Sequence, residues 1–313
     1  MKENILLINP AVNPSSQSDI INAIINKTFP TSLGVLAGFL HSKDIGAVRI
    51  IDEQLNFIKD VELSELILSM PKPRIIGISV LTINSKRAYI LSRKIKEIDP
   101  QALVVLGGIH PTVVPEEALS CPGVDVVVKG EGEETFVELI NMYSNGKDYS
   151  DILGISLRKD KQIVHNPSRP MIGDLDSIPS FPYHLFENDL DKYPTFAGVI
   201  TSRGCPYNCI FCSSRSISGK QYRYFSIERV VSEIKLLVNK YKQKSIWLMD
   251  DNIAANRPRF LKLLDSIKQA GLPEDVYFHG SMRADNITNE ILDRAKSVNF
   301  KMIAFGMETG SES

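Results

Sequence analysis

The sequence has almost no excess of charge, with 36 Lys and Arg against 37 Asp and Glu. That balance removes any bulk electrostatic pull toward nucleic acid or an anionic membrane. It has no apolar run approaching the roughly 18 residues of a spanning helix. Met1-Lys2-Glu3-Asn4, followed only by Ile5 to Ile8, is too short and too acidic for a signal peptide. Low-complexity segments and a G-x-G-x-x-G fingerprint are also missing. Cysteine is scarce, 4 in 313 residues, which excludes a disulfide scaffold. These absences predict a soluble, cytoplasmic protein with no membrane or nucleic-acid partner. With 43% hydrophobic residues and about 150 residues per domain, the chain has material for two domains.

The first half alternates short β-branched runs with amphipathic stretches. Ile5 to Asn9, Val48 to Asp52, Ile75 to Val80, Leu103 to Leu106 and Val124 to Val128 read as strands. Their continuous apolar character suits a parallel sheet buried on both faces. Helices are expected at Ser32 to Lys43, Glu62 to Met70, Asn84 to Ile98, Pro115 to Leu119 and Glu131 to Tyr143. This alternation predicts an α/β fold with a doubly wound sheet over 1–148, whose ligands bind beyond the carboxyl ends of the strands. A small hairpin follows, Ile155 to Arg158 and Gln162 to His165. Pro167, Pro170, Pro179, Pro182 and Pro194 then predict a linker, so that 149–194 reads as hairpin and linker.

A second alternating series occupies 195–313. Strands are expected at Phe196 to Thr201, Ser245 to Met249, Val276 to Met282 and Met302 to Met307. Helices are expected at Ile227 to Tyr241, Arg257 to Ala270 and Asn289 to Val298. Straight after the first of these strands stands Cys205-Pro206-Tyr207-Asn208-Cys209-Ile210-Phe211-Cys212. Three thiolates on one loop suit three corners of a four-iron cluster, leaving one iron open. A structural zinc is the competing reading. It needs a fourth ligand, and only Cys121 or His184 folding back across domains would supply one.

The C-x₃-C-x-Phe-C loop in a repeated βα domain resembles the radical S-adenosylmethionine superfamily. The resemblance implies a partial (βα)₆-type barrel and a [4Fe-4S] cluster on Cys205, Cys209 and Cys212. It also implies S-adenosylmethionine contacts from Phe211, Asp250, Asp251, Arg283 and Glu308. In a parallel barrel these strand ends converge on one face. The first half is similar to the cobalamin-binding domain that precedes such barrels. The matching segments are Pro30 to Gly34, Asp52, Gly77-Ile78-Ser79, Gly107-Gly108-Ile109-His110-Pro111 and Gly130-Glu131-Gly132-Glu133. Ser79, Thr82, Gly107, Gly108, His110, Gly130, Glu131 and Gly132 are the expected cobalamin residues, with His110 either touching the corrin tail or holding its turn. A D-x-H-x-x-G segment is absent after the first strand, where Asn9-Pro10-Ala11-Val12 stands, so no imidazole ligand to cobalt is expected from it.

The family implies cleavage of S-adenosylmethionine to a 5'-deoxyadenosyl radical, with methyl transfer to an unactivated carbon of a small-molecule substrate. A one-electron reductant such as flavodoxin or ferredoxin is the expected partner. A cobalamin-independent, methylthiotransferase-like enzyme is an alternative, although Cys121 alone cannot hold the second cluster such enzymes carry. A non-catalytic corrinoid or redox-sensing module is another. The family's barrel has six βα units and the sequence supplies four, so the chain is expected to be truncated or to need a partner. The remaining histidines, His41, His165, His184 and His279, have no partner at metal spacing, and Trp247 is expected in the barrel core. Tyr222 and Tyr224 beside Lys220 and Arg223 lack the wider basic surface of a nucleic-acid site.

Overall fold

The structure is a computed structural model that describes residues 4–12, 29–193 and 197–308. It divides into two compact units, 1–172 with 179–192 and 173–178 with 193–313. The first unit is built on β1 (Ile5–Asn9), β2 (Val48–Asp52), β3 (Ile75–Ser79), β4 (Leu103–Gly107) and β5 (Val126–Val128). These five run parallel in the order β2-β1-β3-β4-β5. The helices are α1 (Thr31–Ser42), α2 (Asp60–Ser69), α3 (Ser85–Ile98), α4 (Ile109–Val113), α5 (Pro115–Ser120) and α6 (Glu133–Ser144).

Alternate residues of each strand enter different cores, which is why the strands read as unbroken apolar runs. Leu6, Ile8, Ile76, Ile78, Val104 and Leu106 pack with Leu63, Ile67, Leu91 and Ile95 of α2 and α3. Ile5, Leu7, Ile75, Leu103 and Val105 pack with Leu33, Leu40, Phe136 and Leu139 of α1 and α6. Each such side chain contributes about 1.5–3 kcal/mol by leaving water. The doubly wound expectation therefore holds, and the order 2-1-3-4-5 puts the switch point between β1 and β3.

The expected hairpin forms where the sequence placed it, but it joins the sheet. β6 (Ile155–Lys159) and β7 (Gln162–His165) extend the sheet antiparallel from β5. Ile155 and Leu157 are buried, so this hairpin is a sheet edge rather than a connector. The prolines do break regular structure, but residues 179–192 pack on the first unit. Tyr183, Phe186 and Phe181 are buried around Phe29, with Phe29 and Phe186 centroids 4.6 Å apart. The aromatics, not the prolines, decide the fate of that segment.

The second unit carries β8 (Gly198–Val199), β11 (Ser245–Leu248), β12 (Tyr277–Ser281) and β13 (Phe300–Ala304), parallel in the order β13-β12-β11-β8. Between β8 and β11 lie β9 (Ser202–Arg203), α7 (Ser214–Ser218) and β10 (Arg223–Tyr224), and α8 (Ile227–Asn239) leads back to the sheet. α9 (Arg257–Gln269) and α10 (Asn289–Ser297) make the later crossovers. Phe196, the first residue of the expected first strand, lies outside the described residues. The last strand starts and ends earlier than expected, at Phe300 and Ala304, and its pairing with β12 shifts register between Phe278 and His279, skipping Lys301.

Candidate functional site

In the first unit the predicted residues gather at the carboxyl ends of β3, β4 and β5. Ser79 ends β3 and shares a 3.4 Å hydrogen bond with Ser32 at the start of α1. Gly107 ends β4, and Gly108 follows at φ 97, where a Cβ would lie 2.8 Å from the Val80 carbonyl. Only glycine fits that left-handed, closely packed position. The short helix α4 was read as a turn. Pro111 sits in its first turn, where no intrahelical N–H is needed.

His110 is buried, and both ring nitrogens are engaged. Nε2 lies 2.9 Å from the Tyr89 hydroxyl and 3.4 Å from Glu117, and Nδ1 lies 3.3 Å from Thr82 Oγ1. These contacts brace the turn after β4. Burial pushes the Tyr89 hydroxyl well above its usual range, with the Glu117 charge adding to the effect. Glu131 also turns inward, its carboxylate accepting the Ile172 N–H at 3.0 Å. Thr112 was missed by sequence reasoning. Its hydroxyl donates to the Gly108 carbonyl at 2.8 Å and accepts the Gly130 N–H at 3.2 Å, tying the two glycine turns together. Its place four residues after Gly108, directly after the matching segment, was the available signal. Gly132 caps α6. Cys121 is buried with Sγ 3.6 Å from the Tyr89 carbonyl.

The cysteine loop of the second unit leaves β9 and returns by β10, which pair antiparallel. Gly204 at φ 86 opens it, where a Cβ would meet the Gln221 carbonyl at 2.4 Å. Buried Arg223 closes it, donating to the Ser218 carbonyl at 3.1 Å. The loop itself is open to solvent. Ile210 is fully exposed and Phe211 65% exposed, too far out for packing alone to hold them. All three thiols are free, with Cys205 and Cys209 half-buried and Cys212 exposed. Burial raises the Cys205 pKa most; the Tyr207 backbone opposes this, and Asp251 with the other thiols reinforces it.

Asp250 and Asp251, paired in the sequence reading, separate in the structure. Asp250 is buried, with Oδ1 accepting from the Thr201 and Ser202 hydroxyls. Its carboxyl is pushed up to about 6, mainly by burial. Asp251 is exposed, accepts the Ser214 hydroxyl at 2.5 Å and is electrostatically coupled to Cys205. Arg283 reaches the loop: Nη1 lies 3.3 Å from Cys209 Sγ and the guanidinium stacks 4.1 Å over Tyr207. Asn286, in turn, donates to the Tyr207 hydroxyl at 2.8 Å and accepts from Asn252 at 2.8 Å. Sequence reasoning missed both asparagines. Glu308 lies exposed beyond β13 at φ 56, folded toward Gly306 rather than toward the cysteines. Thr309 and Gly310, which follow it, lie outside the described residues.

Among the described residues, no three His, Cys, Asp or Glu side chains converge as one metal ion would need. A four-iron cluster makes no such demand, since each thiolate binds a different iron. Three free thiols within eight residues fit that donor set. For the zinc reading, Cys121 Sγ already lies 3.6 Å from the Tyr89 carbonyl.

The B12 binding domain model matches residues 19–140, and the Radical SAM superfamily model matches 199–313. The chain belongs to the radical SAM superfamily and carries a B12 binding domain. An uncharacterized methyltransferase of Pyrococcus horikoshii is 34% identical over 307 residues, covering 96% of this chain and 65% of the relative. An anaerobic magnesium-protoporphyrin IX monomethyl ester cyclase of Cereibacter sphaeroides is 28% identical, covering 90% and 47%. This radical SAM chain thus spans between about half and two thirds of those relatives. Among solved structures, the radical S-adenosylmethionine methyltransferase TsrM of Kitasatospora setae, with cobalamin and a [4Fe-4S] cluster bound, matches with TM-score 0.76 at 19% identity. That match covers 98% of this chain and 59% of TsrM. OxsB, with aqua-cobalamin and S-adenosylmethionine bound, matches with TM-score 0.81 at 21% identity, covering 98% and 44%. At such identities the likeness establishes the fold. Among the described residues, no helix is long and apolar enough to cross a membrane.

Proposed function

We propose that the chain is the cofactor-bearing part of a cobalamin-dependent radical SAM methyltransferase acting on an unactivated carbon of a small-molecule substrate. One observation carries the reading: a loop with three free thiols in C-x₃-C-x₂-C spacing, in a radical SAM domain that follows a B12 binding domain. Cys205, Cys209 and Cys212 hold the [4Fe-4S] cluster, and exposed Asp251 beside the loop faces the amine of S-adenosylmethionine. The turns at Ser79, Thr82, Gly107, Gly108, Gly130 and Gly132 hold cobalamin. Together these cofactors supply reductive cleavage of S-adenosylmethionine to a 5'-deoxyadenosyl radical and a transferable methyl group.

The chain's own residues orient and shield. Gly204 and Arg223 fix the two ends of the cysteine loop, so the thiols are presented from a rigid base. Asp250, turned into the protein, ties Thr201 and Ser202 to β11 and keeps the start of that loop in place. Thr112 and His110 brace the turns of the first unit, where bare glycine backbone allows close approach of a bulky ligand. The electron comes from a one-electron donor of the flavodoxin or ferredoxin kind.

A ring-forming reaction is the second reading, favoured by the similarity to magnesium-protoporphyrin ester cyclases. The deciding experiment is anaerobic reconstitution with iron and sulfide, then reduction in the presence of S-adenosylmethionine. The chain should form a four-iron cluster and release 5'-deoxyadenosine, and Cys209→Ala should lose both by more than about a hundredfold. Undiminished cleavage by Cys209→Ala would sink the assignment. Methylated against cyclised product from the full-length enzyme separates the two readings.

A further inference from the structure

Arg283 was expected to contact S-adenosylmethionine, but its side chain is spent on the cysteine loop. A guanidinium offers five N–H donors in a fixed fork. Here Nε and Nη2 grip Asp285 at 3.0 and 2.7 Å, and the flat face lies on the Tyr207 ring. With that edge and face engaged, Nη1 is aimed at Cys209 Sγ, 3.3 Å away. The backbone is held as well, since Arg283 N donates to Asn252 Oδ1 at 3.4 Å and Asn252 is buried. Tyr207 is fixed from its far end by Asn286. Three independent constraints therefore deliver one N–H to one thiol.

We propose that Arg283 is a positioning residue that sets the reduction potential of the cluster through Cys209, with Asp285 as its counterweight. This rests on the assignment of Cys209 as a cluster ligand. Potentials of iron–sulfur clusters depend on hydrogen bonds to sulfur and on nearby charge. Reduction adds one electron to the cluster, and no bond is made or broken in the protein. A cationic N–H donor on a ligand sulfur stabilises that extra negative charge and raises the potential. Asp285 sits on the opposite edge of the guanidinium, so it orients the donor while partly offsetting its charge. Asp251, near Cys205, acts in the same sense as Asp285. Because the guanidinium is partly exposed, the effect weakens with added salt.

The test is a redox titration of the reconstituted full chain without S-adenosylmethionine, followed by electron paramagnetic resonance, with iron and sulfide content measured alongside. Arg283→Gln should lower the reduced-to-oxidised ratio at fixed potential about tenfold, about 59 mV for one electron. Asp285→Asn should move it the other way, by less. A residue that merely supports the fold would not give opposite signs from two partners in one ion pair. If Arg283→Gln does not retain its cluster, the Asp285→Asn shift decides alone. Wild-type potential in a cluster-loaded Arg283→Gln, or a downward shift in Asp285→Asn, overturns the inference. Failure of the wild-type chain to assemble any four-iron cluster overturns the underlying assignment instead.

Discussion

The two units present their ligand-facing loops in opposite physical states. In the first, the loops beyond the strands are tied to one another and to the core by their own side chains. His110 spends both ring nitrogens on Tyr89 and Thr82, and Thr112 joins the turns after β4 and β5. Deeper still, Glu53 and Arg87 form an ion pair with side chains 0% and 4% exposed, and Glu53 holds the Ala11 N–H at 3.1 Å. In the second, the cysteine loop is held at its base and through Tyr207 and Cys209, while Ile210, Phe211 and Cys212 face solvent. On the proposed function, a corrinoid would meet a surface organised by protein hydrogen bonds, whereas an iron–sulfur cluster would itself help to hold its loop, since metal–ligand bonding contributes directly to local order.

That contrast has separable consequences. Arg87→Ala should have the largest effect on stability. Removing one partner of a buried pair leaves the Glu53 charge uncompensated and should cost about 3–5 kcal/mol. Chemical denaturation of the cluster-free chain, followed by a probe in each unit, measures it. The loss should appear in the first unit, and an equal loss in the second would break the comparison.

Asp250 supplies a smaller effect of different form. Its carboxyl titrates near 6 when folded and near the ordinary 3.8 when unfolded. Between those values the folded state binds more protons, so this group's contribution to stability falls as pH rises from about 4 to 6. Two units correspond to about 2–3 kcal/mol. The difference in unfolding free energy between wild type and Asp250→Asn, followed over that window, should shift in favour of the variant as pH rises. A flat difference would mean that Asp250 is not buried in this way.

The sequence made the fold legible because β1 to β5 are parallel and buried on two faces, which leaves unbroken β-branched runs between amphipathic helices, and because the second series repeats the strand–helix alternation. It placed the hairpin at Ile155 to His165 but not its attachment to the sheet, and in 179–192 proline density outweighed the aromatics that bury against Phe29. Of the site, the cysteines and glycines were visible through spacing and backbone demand. Thr112, Asn252, Asn286 and the Arg283–Asp285 pair were less so. Their roles depend on which atoms a short polar side chain or a forked cation reaches in three dimensions, and no spacing rule encodes that. The split between Asp250 and Asp251 is the same lesson in two neighbouring residues: after β11 one carboxylate turns inward and the other outward.

The most direct test of the central claim is an anaerobic titration of hydroxocobalamin into the full chain, before and after iron and sulfide are assembled on it. Near-stoichiometric binding in both states, with a base-off visible spectrum, is the predicted result. Absence of binding by a well-folded, cluster-loaded chain would contradict it and reduce the first unit to a scaffold.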